Sequence, residues 1–145
     1  MPGNDFMAAG AISASGMSAE RLRMEVIANN IANANSTRSA NGGAFRRQDV
    51  VFEAVLGESM KGNGRPELKG VQVVDIVEDQ TELPRVYLPG HPDADREGYV
   101  RMPNVHLPIE MVNLLTAMRA YEANLKTQQA FRQITEQAIS LLRAT

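Results

Sequence analysis

Beyond Pro108 the chain runs to Thr145 without a single Gly or Pro. A stretch of about 36 residues with no helix breaker predicts one continuous α-helix about 54 Å long. Pro108 itself suits a first helical turn, where its missing N–H has no intrahelical partner to lose. A second uninterrupted stretch, from Phe6 to about Asn33, is rich in Ala, Met, Leu and Glu and lacks Pro. It predicts a helix of about 28 residues, or about 42 Å, with Gly16 a mild cost inside it. In a chain of 145 residues two such helices leave too little sequence to wrap each in a private core. They must pack on each other or on neighbouring molecules.

Between them the periodicity changes. STRSANGG (36–43) is a polar stretch that ends the first helix and lets the chain turn. FRRQDVVF (45–52) and VQVVDIV (71–77) are short, Val-rich and bounded by Gly and polar residues, which predicts strands, with LPRVYLP (83–89) a third. KGNGRPELKG (61–70) reads as an exposed loop and PGHPDADREG (89–98) as a rigid turn. The fold class that follows is α+β. Two long terminal helices, in segments 1–37 and 108–145, form a coiled-coil-like core, and 38–107 form a small, mainly β unit.

Each helix carries two apolar series. On the second, Met111, Leu114, Met118, Tyr121, Leu125, Gln128, Arg132, Thr135, Ile139 and Leu142 alternate steps of three and four, a coiled-coil seam with a polar middle. Ala117, Ala120, Asn124, Thr127, Phe131, Ile134, Ala138 and Leu141 keep the same spacing on another face. On the first helix, Ala8, Ile12, Ala19, Leu22 and Val26 form one stripe, and Phe6, Met17, Met24, Ile27 and Ile31 another. A two-helix hairpin buries one face of each, so the surplus predicts a protein partner, the strands of the middle unit being the competing cover. Leu125 and Ile134 sample the two seams of the second helix.

Asn29, Asn30, Asn33 and Asn35 crowd the end of the first helix. Helix-end preference accounts for Asn33 and Asn35. Asn29 and Asn30 lie deeper, where side-chain amides can fix register at an interface. The expected assembly residues are therefore Ile12, Met17, Leu22, Met24, Val26, Ile27, Asn29, Asn30, Ile31 and Asn33, with Met111, Leu114, Met118, Tyr121, Asn124, Leu125, Phe131, Ile134 and Leu141.

Charge supports the same division. Residues 1–37 hold five charged side chains, 38–107 twenty and 108–145 seven, as expected if the ends are covered and the middle faces water. A net charge of -2 gives no basic surface for nucleic acid. No stretch approaches the roughly 20 consecutive apolar residues that span a bilayer. The segment MPGNDFMAAGAISASGMSAER lacks the basic start and dense apolar run of a cleaved secretory signal. Without Cys there is no thiolate metal site or cysteine nucleophile.

Enzymatic readings find little purchase. His91 lies in HPDAD beside Asp93 and Asp95, a set that could chelate a divalent ion, but a solvated rigid turn accounts for the run. His106, beside Leu107 and Pro108, has no obvious carboxylate partner in sequence. Nucleotide-binding, nucleophile-elbow and HExxH motifs are absent, and Arg46 with Arg47 is a basic pair rather than a surface. No cofactor, metal or catalytic residue is expected.

SASGMSAERLRMEVIANNIANANST (13–37) is similar to the N-terminal signature of the flagellar rod, hook and hook-associated proteins, a small-residue helix ending in an Asn-rich run. HPDADREGYVRMPNV (91–105) and EMVNLLTAMRAYEANLKTQQAF (110–131) resemble the matching C-terminal half, and GGAFRRQDVVFE (42–53) points to the short rod subunits among them. Ala44 stands where many relatives have Pro. The resemblance implies a proximal-rod subunit in the periplasmic part of the basal body that transmits motor torque. It further implies contacts with other rod proteins and copies of itself, and passage through the flagellar type III export apparatus without a cleaved signal. The helices would build an inner helical tube with the β unit outside. A different rod-family subunit, or a coiled-coil adaptor or chaperone, is the alternative.

Overall fold

The computed structural model describes residues 2–40, 42–57 and 67–143. Helix α1 spans Pro2–Ala32 and helix α2 spans Leu107–Arg143, 31 and 37 residues, each slightly longer than the sequence predicts. Pro2 and Pro108 both sit in a first turn, where they disturb no helical hydrogen bond. Strands β1 (Gln48–Gly57), β2 (Glu67–Glu78), β3 (Arg85–Tyr87) and β4 (Tyr99–Arg101) lie between.

α1 unwinds through tight turns: Ala34 N–H donates to Ile31 O and Ser36 N–H to Asn33 O. Two consecutive glycines, Gly42 and Gly43, then take φ of 79°, a region L side chains avoid, and Ser39 N–H donates to Gly43 O. That reversal lets Phe45 N–H reach back to Ser36 O.

β1 pairs with β2, and β3 with β4. The first pair is antiparallel, because Asp79 N–H, just past β2, donates to Arg47 O, just before β1. At the other end, a Cβ built on Gly57 would lie 2.4 Å from the Lys69 side chain. The strand expected at 45–52 is thus shifted to 48–57, and residues 67–70 of the expected loop belong to β2. The rest of that loop, 61–66, lies outside the described residues, as does the Phe6 side chain.

β3 and β4 run antiparallel in the register Arg85↔Arg101, Val86↔Val100, Tyr87↔Tyr99. The third predicted strand shrinks to three residues, and β4 was hidden by the turn composition before it. The connecting turn is bonded throughout: Asp95 Oδ1 accepts from Glu97 N–H and Tyr99 N–H, and Gly98 (φ 85°) donates to Asp95 O.

Two compact units share these elements. The first comprises Met1–Leu22, Phe52–Val74 and Ala117–Thr145, and the second Arg23–Val51 and Asp75–Thr116. In the first, α1 and α2 approach closely at Gly16, where a Cβ would stand 3.0 Å from Asn124 Nδ2. Gly16 is therefore a packing requirement as well as a helix cost. Ser15 Oγ accepts from Val71 N–H at 3.0 Å and donates to Ile12 O at 2.7 Å, seating β2 on α1. In the second, Val26, Ile27, Ala34, Ala44 and Val100 are buried.

Candidate assembly interface

Within the second unit the buried polar groups form one connected junction. Asn30, fully buried, lines its carboxamide up with the backbone of Gln48 as a strand would: Nδ2 donates to Gln48 O at 2.8 Å and Gln48 N–H donates to Oδ1 at 2.9 Å. The second amide proton goes to Glu110 Oε2 at 3.0 Å. Glu110, only 1% exposed, sits in the first turn of α2, where the helix dipole favours a carboxylate. Its Oε1 accepts from Arg47 Nε at 2.7 Å. Burial works against the Arg47 charge, but the bonds to Glu110 and Asp49 outweigh it and raise the guanidinium above its ordinary pKa.

Asn104 repeats the device. Its Oδ1 accepts from Arg47 N–H at 2.7 Å, and its Nδ2 donates to Asp79 O and Thr81 Oγ1. Asn29 and Asn33 continue along the helix end: Asn33 Nδ2 bonds Asn29 O and Oδ1, and Ser36 Oγ donates to Asn33 Oδ1. Much of the Asn-rich run is thus engaged inside the chain.

The HPDAD turn is likewise structural. His91 Nδ1 accepts from Asp93 N–H, and Asp93 takes Thr37 Oγ1 at 2.8 Å and the Arg38 guanidinium. The Thr37 hydrogen bond, with Arg38 behind it, holds the Asp93 carboxyl below the usual range. No cluster of potential metal ligands occurs among the described residues.

What the chain leaves uncovered is apolar. Of the expected assembly residues, Met111, Met118, Leu125, Ile134 and Leu141 are exposed on α2, and Asn29 on α1. Ile12, Met17, Leu22, Met24, Ile31, Asn33, Leu114, Tyr121, Asn124 and Phe131 are half-buried. Val26, Ile27 and Asn30 are buried within the chain. Four exposed residues at the start of α2 were not anticipated: Leu107, Ile109, Val112 and Leu115. The three-residue spacing of Ile109, Val112 and Leu115 is legible in the sequence, but they lie outside both seams read from it.

On a helical wheel Leu107, Met111, Leu115, Met118 and Leu125 fall within about 80°. Glu110, Ala117 and Asn124, which face inward, fall within about 40° and lie roughly 100° away. Ala117 is 0% exposed and its neighbour Met118 43%. Among the described residues, no helix is long and apolar enough to cross a membrane.

Comparisons with known proteins carry this further. A family described as flagella basal body rod protein matches residues 11–41, and one described as flagellar basal body rod FlgEFG protein C-terminal matches 96–141. The chain is 38% identical over 142 residues to the flagellar basal-body rod protein FlgC of Borreliella burgdorferi, covering 90% of this chain and 93% of the relative. The Bacillus subtilis FlgC is 38% identical over 141 residues with the same coverages, and that of Aquifex aeolicus 42% over 128, covering 86% and 88%. The chain belongs to the FlgC family of flagellar basal-body rod proteins. The two matched segments of this FlgC-family chain carry Asn30 on one side of the junction and Asn104 with Glu110 on the other. Arg47, which joins them, lies outside both.

Proposed function

We propose that this FlgC-family chain is a non-enzymatic structural subunit of the flagellar basal-body rod, placed in its proximal part and built into a helical array that transmits torque. The observation that carries the reading is the row of large apolar side chains left open along α2, from Leu107 to Leu125. A monomer that worked alone would expose these to water at a steady cost. Neighbouring rod proteins and further copies of the chain are the partners that would cover them, with coiled-coil-like contacts along the helices.

Localisation to the rod, across the periplasm, follows from the same reading. Delivery would be through the flagellar type III apparatus with no signal removed, which mass spectrometry of the subunit from purified basal bodies checks. The deciding experiment is deletion of the gene followed by inspection of basal bodies. Rods should be missing and swimming lost, and both should return with the intact gene. Intact rods in the deletion strain would overturn the function.

A further inference from the structure

We propose that the outer face of the β3–β4 ribbon docks an acidic segment of a neighbouring rod protein, anchored by Arg101 and Arg85 and framed by Tyr87 and Tyr99. Side chains alternate across a strand, so the pairs Arg85↔Arg101 and Tyr87↔Tyr99 share one face of the ribbon. Val100, 1% exposed, is buried on the opposite face. Tyr87 is 60% exposed and Tyr99 38%, and both arginines are open to water. The rings are fixed in place: their centroids lie 5.3 Å apart, edge to face, and a Cβ added at Gly98 would come 2.9 Å from Tyr87 Cε2. A rigid aromatic pair beside arginine is the composition that anchors protein interfaces, because little freedom is lost when it is covered.

Charge chooses the occupant. Two cations directly opposite each other weaken a strand pair, so this placement does nothing for the stability of the free chain. Arg85 finds relief at the turn, where Nη2 donates to Asp95 Oδ2 at 2.8 Å and lies 3.6 Å from Glu97 Oε2, and its guanidinium rests 4.9 Å from the Tyr99 ring centroid. The Arg101 guanidinium has no hydrogen-bond or ion-pair partner among the described residues. A carboxylate entering beside it meets the cation that the chain leaves unpaired, with Arg85 across the ribbon as a second donor. Asp95 and Glu97 repel further negative charge, so the face suits a carboxylate on a protein segment rather than a polyanion. The inference rests on the proposed rod function and names a partner chemistry that the apolar stripe on α2 does not.

Arg101→Glu in the full chain tests it. In the free subunit the new acid faces Arg85 across the strands, so the purified variant should melt at or slightly above the parent temperature. In cells carrying only this version of the gene, rods recovered in basal-body preparations should fall at least about tenfold, while Arg101→Lys, which keeps the charge, retains most of them. Normal rods with Arg101→Glu would overturn the proposal. So would an Arg101→Glu chain that no longer folds, since the guanidinium would then serve the fold. Rods that persist when the gene is deleted would defeat the rod function itself, whereas rods lost on deletion but unharmed by Arg101→Glu defeat this surface alone. The partner is read by irradiating basal bodies that carry Tyr87→p-benzoylphenylalanine. The product should join Tyr87's position to a different rod protein, with Asp or Glu beside the joined residue. A product with a second copy of this chain, a product at a segment without a carboxylate, or no product would overturn the assigned partner.

Discussion

Glu110 is a carboxylate that the first turn of α2 places beside an amide from α1 and a guanidinium from the approach to β1, so three remote stretches of sequence depend on its two oxygens. Removing one partner leaves the other charge buried and unpaired, which is worse than replacing all three. Arg47→Met alone should therefore lower the unfolding free energy by about 3 kcal/mol, read by urea denaturation of the purified chain. Asp93 works at the surface and on a different axis. Its carboxyl is depressed by Thr37 and then by Arg38, so the stabilisation it provides is present above the unfolded value, about 3.9, and is lost as pH falls through the folded one. Asp93→Asn should flatten the acid limb of the stability profile below about pH 4 while leaving the neutral region nearly parallel to wild type. An unchanged acid limb would mean that the tie between the 36–43 turn and the HPDAD turn is not formed in solution.

Among the elements, the helices show most directly where a composition rule yields to packing. Gly→Ala inside a helix ordinarily gains about 1 kcal/mol. At Gly16 the new methyl would press on Asn124, whose Nδ2 is already bonded to Ala120 O at 3.1 Å. Gly16→Ala should thus gain less in wild type than in an Asn124→Ala background, a coupling that a double-mutant cycle of melting free energies measures directly. Additive values would place the two helices further apart than the structure does. Both helices were legible from the absence of breakers, and their ends were found to within a few residues. β1 and β2 were legible from runs of Val, but their length came from pairing with each other, which a single strand's sequence does not display. β4 was not legible, since three residues give no periodicity and YVR follows a turn-forming run. At the candidate interface the apolar seams could be listed from spacing alone. Which members stay open could not, because Val26 and Met24 look alike until Val100, Ala34 and Ala44 are brought to the second unit's interior. Asn30 was noticed for being too deep to cap a helix, and its partners Gln48 and Glu110, 18 and 80 residues away, were beyond any local signal.

For the whole molecule, the proposed function predicts that folding and assembly draw on different faces of one helix and can be separated by neighbouring residues. Leu125 and Ile134, which sample the two seams, do not separate them, since both are exposed in the free chain. Ala117 and Met118 do. An Asp at 117 would put a carboxylate into a site with 0% exposure and no partner, and should cost several kcal/mol, appearing as lost helicity or early melting of the purified chain. An Asp at 118 meets water in the free subunit and should leave its stability within about 0.5 kcal/mol of wild type. In a helical array the same contact recurs from copy to copy, so a charge there is repeated along the rod and the defect is multiplied. Met118→Asp should accordingly give normal amounts of folded subunit in the cell, no rods in basal-body preparations and no swimming. Ala117→Asp should fail earlier, with little folded subunit to assemble. If Met118→Asp cells swim and their rods contain the variant, the open stripe on α2 is not what neighbouring subunits cover, and the contact must be sought among the exposed residues of the strands, with Val74, Ile76 and Tyr87 the first to test.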